Sequence, residues 1–265
     1  MSEAYILDTD KELERLEAKF EKESTLEQLN TLGFKNGMRF LDAGSAGGAT
    51  TRLVASIAPE SKVFGIDKNE NYLHYARGLA QDEGLTTITY QQSDIASIPF
   101  KDDSFDFVWC RFLFEYLRMP LEALKELRRV VRPGGIVAIG DLDGNCIFHY
   151  PMEKTFENRL MKILALLENY GFDPFVGRKL FHYFLKTGFN KAETHLFPYH
   201  NIAGKPNERH SYNWRTKISN VISFLRAKSA INHKFLSQFE KEVIEYIHDE
   251  KTFTYSVLIF AKGRK

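Results

Sequence analysis

Three acidic residues and a glycine-rich turn have the order and spacing of a nucleoside-binding site. Asp42 and Gly44 close an apolar segment, Gly48 begins a helical pattern, and Asp67 ends a second apolar segment at the spacing of about 20 residues that such sites use. Glycine has no side chain, so the backbone can turn sharply there and approach a ligand closely. Asp67 is placed to accept from a ribose diol, with a helix cap as the alternative, and Asp94 to accept from an adenine amino group.

Alternating strand and helix patterns place these residues at one edge of a predicted sheet. Apolar runs predict five strands, at 38–43, 63–67, 88–91, 105–110 and 136–140. Helices are predicted between them, at 49–57, 70–83 and 120–131. Capping patterns predict two upstream helices, one opening at 9–12 and one opening at 24–28 and ending at Gly33. Strands alternating with helices imply a parallel sheet with right-handed crossovers.

The pattern changes after Asp141. Helical periodicity predicts helices at 153–170, 177–186, 215–228 and 234–249, and strands are predicted at 192–197 and 253–261. The stretch between those two strands has roughly 50 residues, far more than a hairpin needs. Such an insertion indicates a lid or substrate cover, with a purely structural addition as the alternative.

Composition narrows the class of protein. The chain has 265 residues, 43% of them hydrophobic, which is enough for one large α/β domain or a domain with a cap. Lys and Arg number 36 against 35 Asp and Glu, so the charge makes no case for nucleic acid or an anionic membrane as partner. Cys110 and Cys146 lack metal-ligand spacing, and neither a secretory signal nor a long apolar run is seen. We therefore expect a cytoplasmic protein with a small substrate.

Residues 36–141 taken in order resemble the class I S-adenosylmethionine-dependent methyltransferases, in the branch with the motif Leu-Asp-x-Gly-x-Gly-x-Gly that acts mostly on small molecules. The resemblance is carried by the turn at 42–48, the two later acids, the segment 100–117 around the fourth strand and the entry Arg132-Pro-Gly-Gly-Ile to the fifth. One departure is Ala46, which stands where the family has a central glycine.

The resemblance implies S-adenosylmethionine as the cofactor. In the family, the first motif holds the methionine portion, the acid after the second strand binds the ribose, and the acid after the third meets adenine. An aromatic face can favour the sulfonium, and Tyr5 or Phe112 is a candidate for it. The residues expected to contact the cofactor are Tyr5, Asp42, Gly44, Ser45, Gly48, Asp67, Lys68, Ser93, Asp94, Ile95, Cys110, Arg111 and Phe112.

The resemblance also implies the architecture. We expect an α/β, Rossmann-like sheet of seven mostly parallel strands, with the last strand antiparallel, inserted between the fifth and sixth, and helices on both faces. Residues 1–34 are predicted to form a helical segment over the cofactor site, and residues 35–265 the methyltransferase domain. Within that domain, 145–188 and 199–251 are predicted to form a helical substrate cap.

Methyl transfer from a sulfonium is an in-line displacement, so the protein must place the acceptor and exclude water. Acceptor contacts are expected from Phe114, Glu115, Asp141, Asp143, Tyr150, Tyr199 and Trp214. His149 or His200 is a candidate general base, with a structural histidine as the alternative for each. No metal site is predicted. Nucleic acid is disfavoured because the chain has no Asn-Pro-Pro-Tyr after its fourth strand and no Pro-Cys nucleophile.

Two other hypotheses stay open at this point. A nicotinamide-dependent dehydrogenase would share the turn and the ribose acid but would leave Asp94 and the entry to the fifth strand unexplained. A cofactor-binding sensor or partner-binding protein without transferase activity would fit Ala46 and the lack of a clear base. Whether the chain is a monomer or a homodimer is also open.

Overall fold

The computed structural model describes residues 11–189, 191–229 and 231–265, with the backbone alone at 145–148. Within them the chain runs in the order α1 (Glu12–Lys19), α2 (Lys22–Leu32), β1 (Arg39–Ala43), α3 (Ala49–Ile57), β2 (Lys62–Asp67), α4 (Glu70–Asp82), β3 (Ile88–Gln92), β4 (Phe105–Arg111), α5 (Pro120–Val130), β5 (Val131–Tyr150), α6 (Lys154–Glu168), α7 (Leu180–Lys186), β6 (Ala192–Ala203), α8 (Glu208–Ala227), α9 (His233–His248) and β7 (Phe253–Arg264).

The chain divides into two compact units. The sheet unit consists of Phe20–Asp141, Val176–Phe197 and Ile259–Lys265. Among the described residues, the helical unit consists of 11–19, Leu142–Phe175 and Pro198–Leu258. The predicted N-terminal segment is divided between them, because α1 belongs to the helical unit and α2 to the sheet unit.

The strands form a seven-stranded sheet in the order β3-β2-β1-β4-β5-β7-β6. The pairs β1/β2, β1/β4, β2/β3 and β4/β5 are parallel. Strand β7 runs antiparallel to β5. The N–H of Lys265 donates to the carbonyl of Gly135, whereas Gly140 lies against Phe260, so residue numbers rise along β5 as they fall along β7. The predicted Rossmann-like, mostly parallel sheet with an antiparallel last strand is confirmed.

Strand β5 begins earlier than predicted. The strand was expected to begin at Ile136, after Arg132-Pro-Gly-Gly, yet β5 starts at Val131, directly after α5. The backbone N–H of Gly134, at φ +77°, donates to the carbonyl of Lys265 at 2.9 Å. Pairing with the end of β7 therefore extends the strand through the two glycines.

Both faces of the central strands are buried. Leu41, Val108 and Val137 point into one core cluster, while Phe40 and Phe107 point to the opposite face, as period-two alternation requires. On that second face, the ring of Phe34 packs edge-on against both phenylalanines, at 5.3 and 5.7 Å between centroids. Helices cover the sheet on both faces, which explains why the strands read as nearly continuous apolar runs.

Helix α7 belongs to the sheet unit, although the predicted cap extended to residue 188. Its Leu180 and Phe184 are fully buried in the core cluster on which α5 also packs, through Leu124 and Leu127. The segment of the helical unit that begins within β5 is Leu142–Phe175, and the substrate cap stays a prediction.

The helical unit is built from α1, α6, α8 and α9. Phe156 of α6 stacks on Tyr246 of α9, with 4.2 Å between ring centroids. Arg159 also forms a bidentate ion pair with Glu242, with its Nε 2.6 Å from Oε2 and its Nη2 2.7 Å from Oε1. No helix among the described residues combines the length and apolar character needed to cross a bilayer.

Candidate active site

The glycine-rich turn leaves the carboxyl end of β1 and folds back over the end of β2. The N–H groups of Gly44 and Ser45 both donate to the carbonyl of Ile66, at 2.8 and 2.9 Å. Gly44 has φ +81°, and a Cβ on it would lie 2.6 Å from the side chain of Leu113. Glycine is therefore required there both by the backbone conformation and by the close approach of the segment after β4.

Asp67 ties this turn to the second strand. Its Oδ2 accepts from the N–H of Ala46 and its Oδ1 from the N–H of Asn69, both at 2.9 Å. Ala46 has φ +45°, so the left-handed conformation expected for a glycine is adopted by an alanine. The cost is about 1 kcal/mol, comparable to the gain from one hydrogen bond. The departure from the family motif at Ala46 thus leaves the turn formed.

Asp42 lies near the end of β1, just before the turn, and its exposed fraction is 4%. Burial raises the pKa of its carboxyl to about 6, although the Thr51 hydroxyl, at 2.7 Å, and the charge of Arg111 act in the opposite direction. Helix α3 begins after Gly48, and no side chain caps it. Its first N–H groups therefore lie next to the turn without a capping oxygen, which is the arrangement that binds carboxylates and phosphates.

Asp94 follows β3 and is about half exposed. Its Oδ1 accepts from the N–H of Ala96 at 2.9 Å and its Oδ2 from Lys68 Nζ at 3.0 Å. The backbone bond and the lysine lower the pKa of Asp94, so it is an ionised acceptor. The neighbouring Ser93 donates through its hydroxyl to the carbonyl of Ser97, and the side chain of Ile95 is buried in the core.

Arg111, at the end of β4, joins α2 to the start of α3. Its Nη1 donates to Thr25 Oγ1 at 3.0 Å and to Gln28 Oε1 at 2.9 Å, and its Nη2 donates to Thr50 Oγ1 at 3.3 Å. Phe112 follows with φ +60°, and its ring lies 5.1 Å from the Arg111 guanidinium carbon.

Sequence reasoning missed the partners of Arg111. Thr25 and Gln28 were interpreted as a capping pattern, but α2 begins at Lys22 and both side chains lie inside the helix, 0% and 2% exposed. The signal that could have found them is the presence of two polar residues on the apolar face of a predicted helix.

The remaining predicted residues of the sheet unit are buried. Cys110 is fully buried, and burial together with the negative charges of Asp141, Asp42 and Asp67 raises the pKa of its thiol, so it is no nucleophile. The backbone N–H of Glu115 donates to Asp141 Oδ2 at 3.0 Å. Phe114 is 1% exposed and belongs to the core cluster, so packing accounts for it without an acceptor.

The other predicted acceptor and catalytic residues lie in the helical unit, and Tyr5, predicted to contact the cofactor, lies outside the described residues. They are Asp143, His149, Tyr150, Tyr199, His200 and Trp214. His149 Nδ1 is 2.7 Å from Thr254 Oγ1, Tyr150 is 77% exposed, and His200 and Trp214 are buried beside each other. The roles of these residues stay predictions.

Residues 41–139 match the family model described as a methyltransferase domain. That range contains the glycine-rich turn, Asp67, Asp94 and the end of β4. Residues 41–139 form a methyltransferase domain of the class I S-adenosylmethionine-dependent type. The resemblance inferred from the motifs is thereby confirmed, and S-adenosylmethionine is the cofactor of this family.

Known relatives of this methyltransferase domain agree in fold. An uncharacterized methyltransferase of Schizosaccharomyces pombe is 30% identical over 148 residues, 54% of this chain and 53% of that protein. A putative methyltransferase from Bacillus halodurans superposes with a TM-score of 0.60 at 18% identity, over 91% of this chain and 98% of that one. Phosphoethanolamine N-methyltransferase 2 of Haemonchus contortus, in complex with S-adenosyl-L-methionine, superposes with a TM-score of 0.63 at 22% identity. This superposition covers 99% of this chain and 60% of that one. The chain spans about half the length of the curated relatives it matches, 53% and 47% in two cases.

Proposed function

We propose that this chain transfers a methyl group from S-adenosylmethionine to a small-molecule acceptor by in-line displacement. The observation that carries the proposal is the double role of Asp67, whose carboxylate holds the turn after β1 through Ala46 while ending β2. The hydrogen bond from Ala46 to Asp67 fixes the turn, the uncapped start of α3 and the Asp67 carboxylate relative to one another before any ligand binds. Preorganisation of this kind reduces the entropy lost on binding.

The residues present fit this cofactor. A carboxylate accepts more than two hydrogen bonds, so the two backbone bonds of Asp67 are compatible with contacts to a ribose diol. Asp94 is ionised and exposed enough to accept from an adenine amino group. The uncapped N-terminus of α3 suits the carboxylate of the methionine portion, and Asp42 suits its positive charges. When bound, S-adenosylmethionine supplies the methyl group on a sulfonium.

Displacement at a methyl group needs no covalent enzyme intermediate, so the chain's own residues have to bind the acceptor and exclude water. The buried thiol of Cys110 agrees with a mechanism that uses no enzyme nucleophile. A small acceptor is supported by the near-neutral charge of the chain and by a structural neighbour named for phosphoethanolamine. His149 is the candidate base for an acceptor that must lose a proton.

Calorimetric titration of the purified chain with S-adenosylmethionine and, separately, with NAD tests the cofactor. We expect saturable binding of the former and none of the latter. Asp67→Asn should weaken binding at least about tenfold, because an amide places a donor where Ala46 or Asn69 already donates. Asp82→Asn, an exposed residue at the end of α4, is the matched control. Binding of NAD alone would replace the proposal with the dehydrogenase hypothesis.

A second experiment tests transfer itself. S-adenosylmethionine carrying a labelled methyl group is incubated with the chain and a metabolite extract, and labelled products are separated by mass. A labelled small molecule that disappears with Asp67→Asn supports the proposal. Cofactor binding without any labelled product across extracts would instead favour a sensor or partner-binding role.

A further inference from the structure

A group of polar side chains is buried in the helical unit, around His200. This group, the His200 cluster, consists of Arg15 from α1, His200 from β6, and Asn213, Trp214 and Lys217 from α8. Their exposed fractions are 3%, 8%, 1%, 0% and 7%. Polar side chains at this depth are normally fully hydrogen-bonded, so the partners of each one decide what the cluster can do.

A chain of hydrogen bonds fixes the proton on His200. Glu12 binds Arg15 through two bonds of 2.8 and 2.6 Å, and Arg15 Nη1 donates to Asn213 Oδ1 at 2.6 Å. The amide oxygen of Asn213 therefore faces Arg15, and its Nδ2 donates to His200 Nε2 at 3.1 Å. Burial keeps the pKa of His200 well below its usual value, so the ring is neutral and carries its proton on Nδ1.

Two N–H donors of the cluster have no acceptor. His200 Nδ1 and Trp214 Nε1 are buried and have no hydrogen-bond partner among the residues that the structure describes. Lys217 likewise forms no ion pair or hydrogen bond with any described residue. Leaving the two N–H donors buried without an acceptor carries their desolvation penalty, so the arrangement favours an acceptor from outside.

These three groups lie together. Trp214 and Lys217 are three residues apart on α8 and share one face of it. The His200 and Trp214 rings are 5.0 Å apart between centroids, and the charge of Lys217 acts directly on His200. The small exposed fractions of His200 and Lys217 give access from solvent at that point.

Several basic side chains lie near His200. Burial lowers its pKa most, and Lys217, His210, Lys19 and Arg15 all lower it further. Glu12 balances the charge of Arg15, but no described carboxylate pairs with Lys217. A site with two N–H donors and one ammonium group favours an anion with several acceptor oxygens.

We propose that the His200 cluster binds an oxyanion, the carboxylate or phosphate group of a small molecule, through His200 Nδ1–H, Trp214 Nε1–H and the Lys217 ammonium group. His200 is then a hydrogen-bond donor whose tautomer is set by Glu12, Arg15 and Asn213. The proposal does not depend on the methyl transfer proposed above, and each can fail without the other.

The indole N–H signals of the chain provide a direct assay. Trp109 and Trp214 are its two tryptophans, and Trp109 lies buried in the sheet unit as an internal reference. The 15N-labelled chain is titrated with sodium phosphate and, in a second arm, with sodium acetate, against sodium chloride of equal ionic strength. We expect a saturable shift of the Trp214 signal and none of Trp109. Response to phosphate alone assigns a phosphate group, to acetate alone a carboxylate, and to both a general oxyanion.

Two lysine variants make the test specific. Lys217→Met should weaken the response at least about tenfold, because a hydrogen bond to a charged group is worth that much in affinity. Lys241→Met removes the same charge from an exposed position and should leave the affinity unchanged. The proposal is overturned if neither anion shifts the Trp214 signal saturably, or if both variants weaken binding equally. Should Lys217→Met fail to fold, the titration of the unmodified chain still decides.

Discussion

The carboxyl of Asp42 has a different pKa in the folded protein than in the unfolded chain. The carboxyl is 4% exposed, and burial raises its pKa from 3.8 to about 6. A raised pKa means that the folded state holds a proton between these two values where the unfolded state has released it. Asp42 therefore favours the folded state at low pH, and this contribution is lost as the pH rises from about 4 through about 6.

The size of the effect follows from the two pKa values. A separation of about two pH units, at 1.36 kcal/mol per unit, amounts to about 3 kcal/mol of unfolding free energy. Asp42→Asn removes this titration, while its amide oxygen can still accept from the Thr51 hydroxyl. At pH 4 the unfolded carboxyl is already about half ionised, so the stability of the variant relative to the unmodified chain should rise by about 2 kcal/mol between pH 4 and pH 7.

Urea unfolding of both proteins at pH 4 and pH 7 measures this difference, since contributions of other titrating groups are common to both. Asp82→Asn, whose carboxyl is exposed, serves as the control and should show the same difference from the unmodified chain at both pH values. A difference between Asp42→Asn and the unmodified chain that does not change with pH would refute the buried, proton-binding Asp42 described here.

Two further outcomes are expected. Gly48→Ala should lower the unfolding free energy by about 1–3 kcal/mol in urea, because φ is +79° and a Cβ would lie 2.3 Å from the Tyr90 hydroxyl oxygen. Gly78→Ala, with open space around its Cβ, should not lower it, and equal losses would contradict the argument. Arg111→Met should move the Asp42 titration, followed by carboxyl 13C NMR, to higher pH, because Arg111 lowers that pKa; an unchanged or lower titration midpoint would contradict it.

The sequence predicts well those site residues whose position depends only on the strand beside them. Asp42, Gly44, Asp67 and Asp94 each lie at or just after the carboxyl end of a strand, and parallel strands place these ends at one edge of the sheet. Their order along the chain therefore translates into position without knowledge of side-chain packing. The parallel pairing of the first five strands follows for the same reason, whereas the antiparallel last strand was implied by the family resemblance.

Contacts between distant segments escaped prediction because no local pattern encodes them. Arg111 bonds Thr25 and Gln28 across 86 and 83 residues of sequence, and neither polar residue reveals its partner by spacing. Helix α7 shows the same limit. Its apolar positions predict a helix, but its placement in the sheet unit depends on how Leu180 and Phe184 pack in the core.

His200 shows how such distant contacts change the chemistry assigned to a residue. From the sequence, a histidine in the insertion is a candidate base because its usual pKa lies near neutrality. A base needs a lone pair directed at the acceptor, yet the Nε2 lone pair accepts from Asn213 and the proton sits on Nδ1. That assignment depends on Arg15, which lies 198 residues from Asn213 and holds its amide in one orientation. The geometry therefore favours a hydrogen-bond donor at His200, and it leaves His149 as the histidine to examine for proton removal.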